Sequence, residues 1–315
     1  MCQPKKNKTE DIPSLESTLK SNDTEEWIDL IFYRPIGYRW ALFFHKLNAT
    51  PNTITIISIF LGVAGGILFY PENLLLNVIG MLLLVWANMY DSADGQLARM
   101  TGQKSDLGRV LDGVSGDLWF ISIYVSICLR LTPTWGFWIW VLGAVAGFFH
   151  GKQASMADYY RNIHLFFIKG REGSELDNSV KEKQKYNTMS WKDEKLNKLF
   201  LWFYIRYTAA QEKSTPSFQH FFGLLKQKGL NSIPKSLKDN FRMASLPLMK
   251  YTNILSFNTR VFVLFLSLFI NEPWIYFVFE LTVLNLILIY MIVKHENFSS
   301  KFYKELVEKY PQNEE

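Results

Sequence analysis

The sequence predicts an all-α integral membrane protein. It has six transmembrane helices, an N-terminal interfacial helix and a long cytoplasmic insertion between helices 4 and 5. Three observations predict it: apolar residues gather into six runs near bilayer length, Lys and Arg gather on one side of those runs, and four aspartates sit where the second and third runs reach that side. Of the 315 residues, 49% are hydrophobic, 16% aromatic and 20% charged, which excludes disorder, a collagen-like fibre and a disulfide-stapled secreted domain. The mean hydropathy of +0.01 and net charge of +5 hide this segregation by averaging over it. The two cysteines, Cys2 and Cys128, decide nothing about redox compartment.

Residues 1–26 read as a polar tail; Lys5, Lys6 and Lys8 are followed by Ser, Thr and acids, with no apolar core of a signal peptide. Residues 27–50 alternate Trp27, Ile28, Ile31, Trp40 and Phe43 with Arg34, Arg39 and Lys46, the pattern of a helix lying along a membrane surface. A six-span membrane domain is expected over 51–295, interrupted by a basic insertion at 158–250, and a cytoplasmic tail over 296–315. Crossing the hydrocarbon core takes roughly 20 apolar helical residues. The spans are read at 54–70, 74–90, 111–128, 135–149, 261–270 with a polar lead-in from 254, and 274–293. The fourth and fifth are short, and their polar extensions predict helices that protrude from the bilayer and line something.

Orientation follows from the retention of Lys and Arg on the cytoplasmic side. The connections 71–73, 130–134 and 271–273 hold a single basic residue, Arg130, and the other 33 of the 34 Lys and Arg fall on the opposite side or in the tails. Both termini and the acidic cluster are therefore expected to face the cytoplasm. The insertion carries 17 Lys and Arg against 9 Asp and Glu. Either it is a solvated loop obeying the positive-inside rule, or it is pressed onto anionic headgroups through apolar runs such as 199–205.

Carboxylates at membrane depth are costly and mark a site. The segment reads Asp91-Ser-Ala-Asp94-Gly95-Gln-Leu-Ala98-Arg99, then eight residues, then Gly108 and Asp112. A rotation of ~100° per residue puts Asp91, Asp94 and Ala98 near one helix face, and Gly108 and Asp112 in line on the next. Two acidic faces opposed across a hairpin, with oxygen ligands only, suit two hard divalent cations, Mg²⁺ or Mn²⁺. Small residues at 95, 98 and 108 would let a phosphate or base approach, and Arg99 could pair with phosphate.

These residues resemble the signature of the CDP-alcohol phosphotransferase family, Asp-x2-Asp-Gly-x2-Ala-Arg-x8-Gly-x3-Asp-x3-Asp, at every position through Asp112. The stretches Tyr33-Arg34-Pro35 and Thr50-Pro51-Asn52-x2-Thr55 are similar too, whereas the insertion has no match in the family's core. The resemblance implies a membrane enzyme, usually a homodimer, that moves a phospho-alcohol unit from a CDP-linked donor to a hydroxyl acceptor and releases CMP. By position it makes Asp91, Asp94 and Asp112 metal ligands and places Gly95, Ala98, Arg99, Gly108, Asn52 and Thr55 around the CDP donor. No nucleic-acid partner is expected.

The chain departs from the signature at its end, where Gly116 replaces the last Asp and Asp117 follows one place later. Position 117 lies ~140° round from Asp112 on a regular helix. Three readings compete: a π-type bulge within 113–116 turns Asp117 back as metal ligand and catalytic base, the fourth carboxylate is dispensable, or catalysis is lost. The bulge is the favoured expectation, because two Gly and a Ser tolerate distortion there. Acceptor-side candidates are Lys152, Arg161 and Arg260; Glu280 and Asn285 read as interhelical contacts. The rivals to an enzyme of phospholipid synthesis are a small membrane transporter and a catalytically impaired CDP-lipid binder.

Overall fold

The structure is a computed structural model that describes residues 13–18, 21–103, 106–174, 176–191, 194–229 and 233–309. Parts of the predicted tails, 1–12, 19–20 and 310–315, lie outside the described residues. The described residues are helical and contain no strand. A π-helical turn at Asp29–Tyr33 leads into α1 (Arg34–Lys46); Trp27 and Ile31 ahead of α1 and Phe43 within it are exposed.

α2 (Pro51–Ile67) starts where the Thr50 side chain accepts from the Thr53 amide and Pro51 supplies a first-turn residue with no amide to satisfy. It packs along α3 (Leu74–Thr101) and α4 (Asp106–Trp135). That approach needs glycine: a Cβ on Gly62 would enter the Trp119 ring, and one on Gly65 would meet the Gly80 carbonyl. Asn73 caps α3, and Gly102, at φ +68°, ends it in the left-handed region. α3 and α4 run antiparallel, so the end of one and the start of the other meet.

Next come α5 (Trp138–Lys169), the insertion helices α6 (Ser179–Thr188), α7 (Lys195–Lys213) and α8 (Pro216–Gln227), then α9 (Lys235–Ile254) and α10 (Phe257–Phe269). The chain closes with α11 (Trp274–Phe279), a π-helical turn at Glu280–Leu284 and α12 (Asn285–Lys309). Four helical segments are long and apolar enough to cross a membrane: Leu74–Thr101, Leu111–Trp135, Lys235–Phe269 and Trp274–Glu308. Two expected spans fall outside that group. α2 is apolar but has 17 residues, and α5 turns polar from His150 onward, with Lys152, Gln153, Asp158 and Arg161. The expected short fifth span is the end of a 35-residue segment that is interrupted at Leu255–Ser256.

Three apolar clusters hold the helices together, one of them Ala41, Phe44, Ile54, Ala93 and Leu97 between α1, α2 and α3; the other two are larger. One joins α3, α4, α5, α10 and α11 through Leu84, Ile123, Ile127, Ile139, Leu264 and Phe277. The other joins α5, α8, α9 and α12, with Phe167 stacked on Phe241 at 3.7 Å between ring centroids. The second half of the insertion therefore shares its core with the helices on either side of it. The Glu296 carboxylate of α12 accepts from the Ser217 and Phe218 amides at 2.6 and 3.4 Å, tying down the start of α8. At the opposite end from the aspartates, buried Arg130 donates to the Phe69 carbonyl (3.0 Å) and to the Asn77 and Asn271 side chains (2.8 and 2.5 Å). Arg130 is thus a structural clamp.

Candidate active site

The α3–α4 hairpin brings Asp91, Asp94 and Asp112 together, and one carboxylate oxygen from each lies within 4.8 Å of the others. Asp94 is buried and accepts from the Thr55 hydroxyl of α2 at 2.5 Å. Ser115 Oγ lies 2.7 Å from the Asp112 carbonyl and 3.1 Å from Asp91 Oδ1, so one hydroxyl links both helices of the hairpin. Three carboxylates this close repel one another unless a cation sits among them. The donor set is oxygen only, with two members held by neighbouring hydroxyls, and it fits a hard divalent cation.

Beside the cluster is a cavity of about 250 Å³ lined by Asp91, Gly95, Arg99, Asp112, Arg34 and Arg161, among others. Arg34 is held by Glu25 at 3.0 and 3.1 Å. Arg161 donates to Asn253 and Ser256 at 3.3 and 2.9 Å. The Arg161 Nε is buried without a hydrogen-bond partner among the described residues, and Arg99 has two such atoms, Nε and Nη2. Leaving such donors unmade is costly, and an anion supplies what they lack. Gly95 lies beside this guanidinium; a Cβ there would stand 3.5 Å from it.

The N-terminal segment contributes to the wall of this cavity. Glu25, Glu26 and Asp29 line it, and Asn258 of α10 donates to Glu26 (2.8 Å) and Asp29 (3.0 Å). Burial, with the Asp29 charge adding to it and the Asn258 bond opposing it, pushes the Glu26 carboxyl up to about 7. Farther out, Asp23 takes a two-pronged bond from Arg242 at 2.7 and 3.0 Å, and that guanidinium holds its carboxyl below the usual range.

Several sequence-derived candidates fall elsewhere. The turn 113–116 is regular α-helix with no π-bulge, and Asp117 is outside the carboxylate group; it is exposed and lines a second cavity. A Cβ on Gly116 would meet nothing within 4 Å, so the missing Asp is not excluded by space. Arg260 is buried away from both cavities, bonded to Glu280 (2.6 Å), Gln153 (2.8 Å) and the Leu255 carbonyl (3.1 Å). Glu280 also accepts from Tyr276 at 2.6 Å and from Tyr124, and lies 3.1 Å from His150. This explains the π-turn that begins at Glu280: it belongs to a buried polar junction of four helices. Lys152 is exposed, and Asn52, Ala98 and Gly108 are not part of the lining of either cavity. Ser115 was legible only as a residue three places after Asp112; Glu25, Glu26 and Asn258 carried no local signal, because distant segments bring them in.

The described residues thus combine helices long and apolar enough to cross a membrane with a carboxylate trio suited to a hard divalent cation and an adjoining arginine with unmet donors. Residues 48–160 match the CDP-alcohol phosphatidyltransferase family model. Over 90 residues the chain is 37% identical to the archaetidylinositol phosphate synthase of Pyrococcus horikoshii, covering 29% of this chain and 46% of that protein. Over 70 residues it is 43% identical to an uncharacterized protein of Aquifex aeolicus, covering 22% of this chain and 34% of the other. The chain thus spans less than half the length of these relatives.

Proposed function

We propose that the protein transfers a phospho-alcohol unit from a CDP-linked donor to a hydroxyl acceptor with release of CMP, in phospholipid synthesis. The observation that carries this is the convergence of Asp91, Asp94 and Asp112 beside the unsatisfied Arg99. These three aspartates would hold two divalent cations, Mg²⁺ or Mn²⁺. When bound, such ions offset the charge of the diphosphate and of the departing CMP. Thr55 and Ser115 fix the carboxylates of Asp94 and Asp91, while Arg99, with Arg34 and Arg161 nearby, binds and orients phosphate oxygens. Asp112 is exposed and is shared by both cavities; its carboxylate receives the acceptor proton. The acceptor oxygen then bonds to the phosphorus distal to cytidine as the bridging P–O bond breaks, and CMP carries away the electron pair.

The same reading takes α2 and the apolar first half of α5 as two further spans, giving six, with site and termini on the cytoplasmic side, and takes the enzyme as a homodimer whose basic insertion meets anionic headgroups. The test is CMP release from CDP-diacylglycerol, CDP-ethanolamine or CDP-choline, with and without Mg²⁺ or Mn²⁺, across a panel of hydroxyl acceptors. Release that needs both metal and an acceptor supports transfer; no release from any donor rejects it. A second reading, a binder of CDP-lipid without turnover, is favoured by one observation, the three-carboxylate cluster left by Gly116. Metal-dependent donor binding without CMP release would select it.

A further inference from the structure

The second cavity, about 920 Å³, lies between α4 and α5 on one side and the insertion helices α6 and α7 on the other. Among the described residues it shares one lining residue with the arginine-lined cavity, Asp112. The insertion's charges are sorted across it. Of the nine acids in 158–250, four line the cavity (Asp158, Asp177, Glu182 and Glu194), against one of the seventeen bases, Lys185. From α4 come Asp112 and Asp117, so the described lining holds six carboxylates and one lysine.

Among the described residues no hydrogen bond or ion pair reaches Asp117, and it faces α7 across the cavity. Tyr207 of that helix feels its charge: burial first, then the negative charges of Asp158 and Asp117, push the Tyr207 phenol up. Aromatic rings complete the wall, with Phe200, Phe203 and Tyr207 on α7 and Tyr159 on α5. The volume is within the range of small-molecule sites. Carboxylates of one sign in a recess concentrate cations, and aromatic faces add to the attraction for ammonium groups.

We propose that this cavity seats the acceptor and that the acceptor is an alcohol bearing a protonated amine or quaternary ammonium, held by Asp117 and the acids of the insertion with its hydroxyl toward Asp112. The proposal rests on the transfer reading above and adds the acceptor's charge. It gives the departure at Gly116-Asp117 a function: the carboxylate missing from the metal cluster is replaced by one facing the neighbouring cavity.

The full-length protein in nanodiscs is tested by direct binding of labelled choline, without donor and under saturating Mg²⁺. Competitors are ethanolamine, the uncharged choline isostere 3,3-dimethyl-1-butanol, and glycerol phosphate. Choline and ethanolamine should bind at least about tenfold more tightly than the isostere. Asp117→Asn and, on the opposite wall, Glu194→Gln should each weaken choline about tenfold while leaving Mn²⁺ binding unchanged. Equal binding of the isostere, preference for glycerol phosphate, or an unchanged affinity in both variants would overturn the assignment. Choline binding without CMP release from any donor would reject the transfer reading and, with it, the acceptor role. CMP release only with anionic or uncharged acceptors would reject this inference alone.

Discussion

Ser115, whose hydroxyl also reaches the Asp112 main-chain carbonyl, holds the Asp91 carboxylate, and Thr55 holds that of Asp94 from another helix. Neither need touch a metal to matter, since partners that orient ligands set affinity. Ser115→Ala and Thr55→Val should each weaken Mn²⁺ binding by roughly ten- to a hundredfold, read by calorimetry, with the unfolding midpoint little changed. Glu26 is a second residue with a measurable signature. Its carboxyl moves from an ordinary 4.5 to about 7 on folding, chiefly through burial. A raised folded value means stability is fully present below about 4.5 and is lost as pH climbs to about 7, where the folded state must also ionise. The loss is on the order of 3 kcal/mol. The thermal midpoint should fall across that window and flatten in Glu26→Gln; an equal slope in the variant would contradict the assignment.

At the scale of elements, the α3–α4 hairpin carries the chemistry because antiparallel helices joined near Gly102 place the end of one beside the start of the other. The regular turn through 113–116 leaves a vacant helical position in line with Asp112, open to a side chain. Gly116→Asp should therefore fold normally and bind Mn²⁺ about tenfold more tightly, as expected when one more charged oxygen donor joins the set. A destabilised protein or unchanged affinity would show that position 116 does not face the cluster. The insertion, basic as a sequence, acts as two parts: α6 and α7 wall a cavity, while α8 and α9 enter a shared core with α5 and α12.

For the whole molecule, the polar junction at Glu280 links α4, α5, α10 and the π-turn before α12. Removing one member of a buried pair leaves a charge with nowhere to go. Glu280→Ala should cost about 3–5 kcal/mol in detergent unfolding, whereas Arg260→Met combined with Glu280→Leu should recover much of that loss. Catalytic effects of these variants should follow folded fraction, since Arg260 lines neither cavity.

The helical fold, the apolar segments and the aspartate cluster were legible because each depends on periodicity and spacing within neighbouring residues: Asp91, Asp94 and Asp112 lie on one hairpin. The partners of that cluster were not. Glu26 meets Asn258, Arg260 meets Glu280, and Asp117 comes to share a cavity with α7 only after the chain has folded, and no local pattern encodes such pairings. The last aspartate shows the division best. Its one-residue displacement is plain in the sequence, but whether it returns to the cluster depends on backbone geometry, and the tertiary structure keeps the helix regular and turns Asp117 toward the insertion. Helical rotation is a local property; what waits on the other side of the helix is decided by packing.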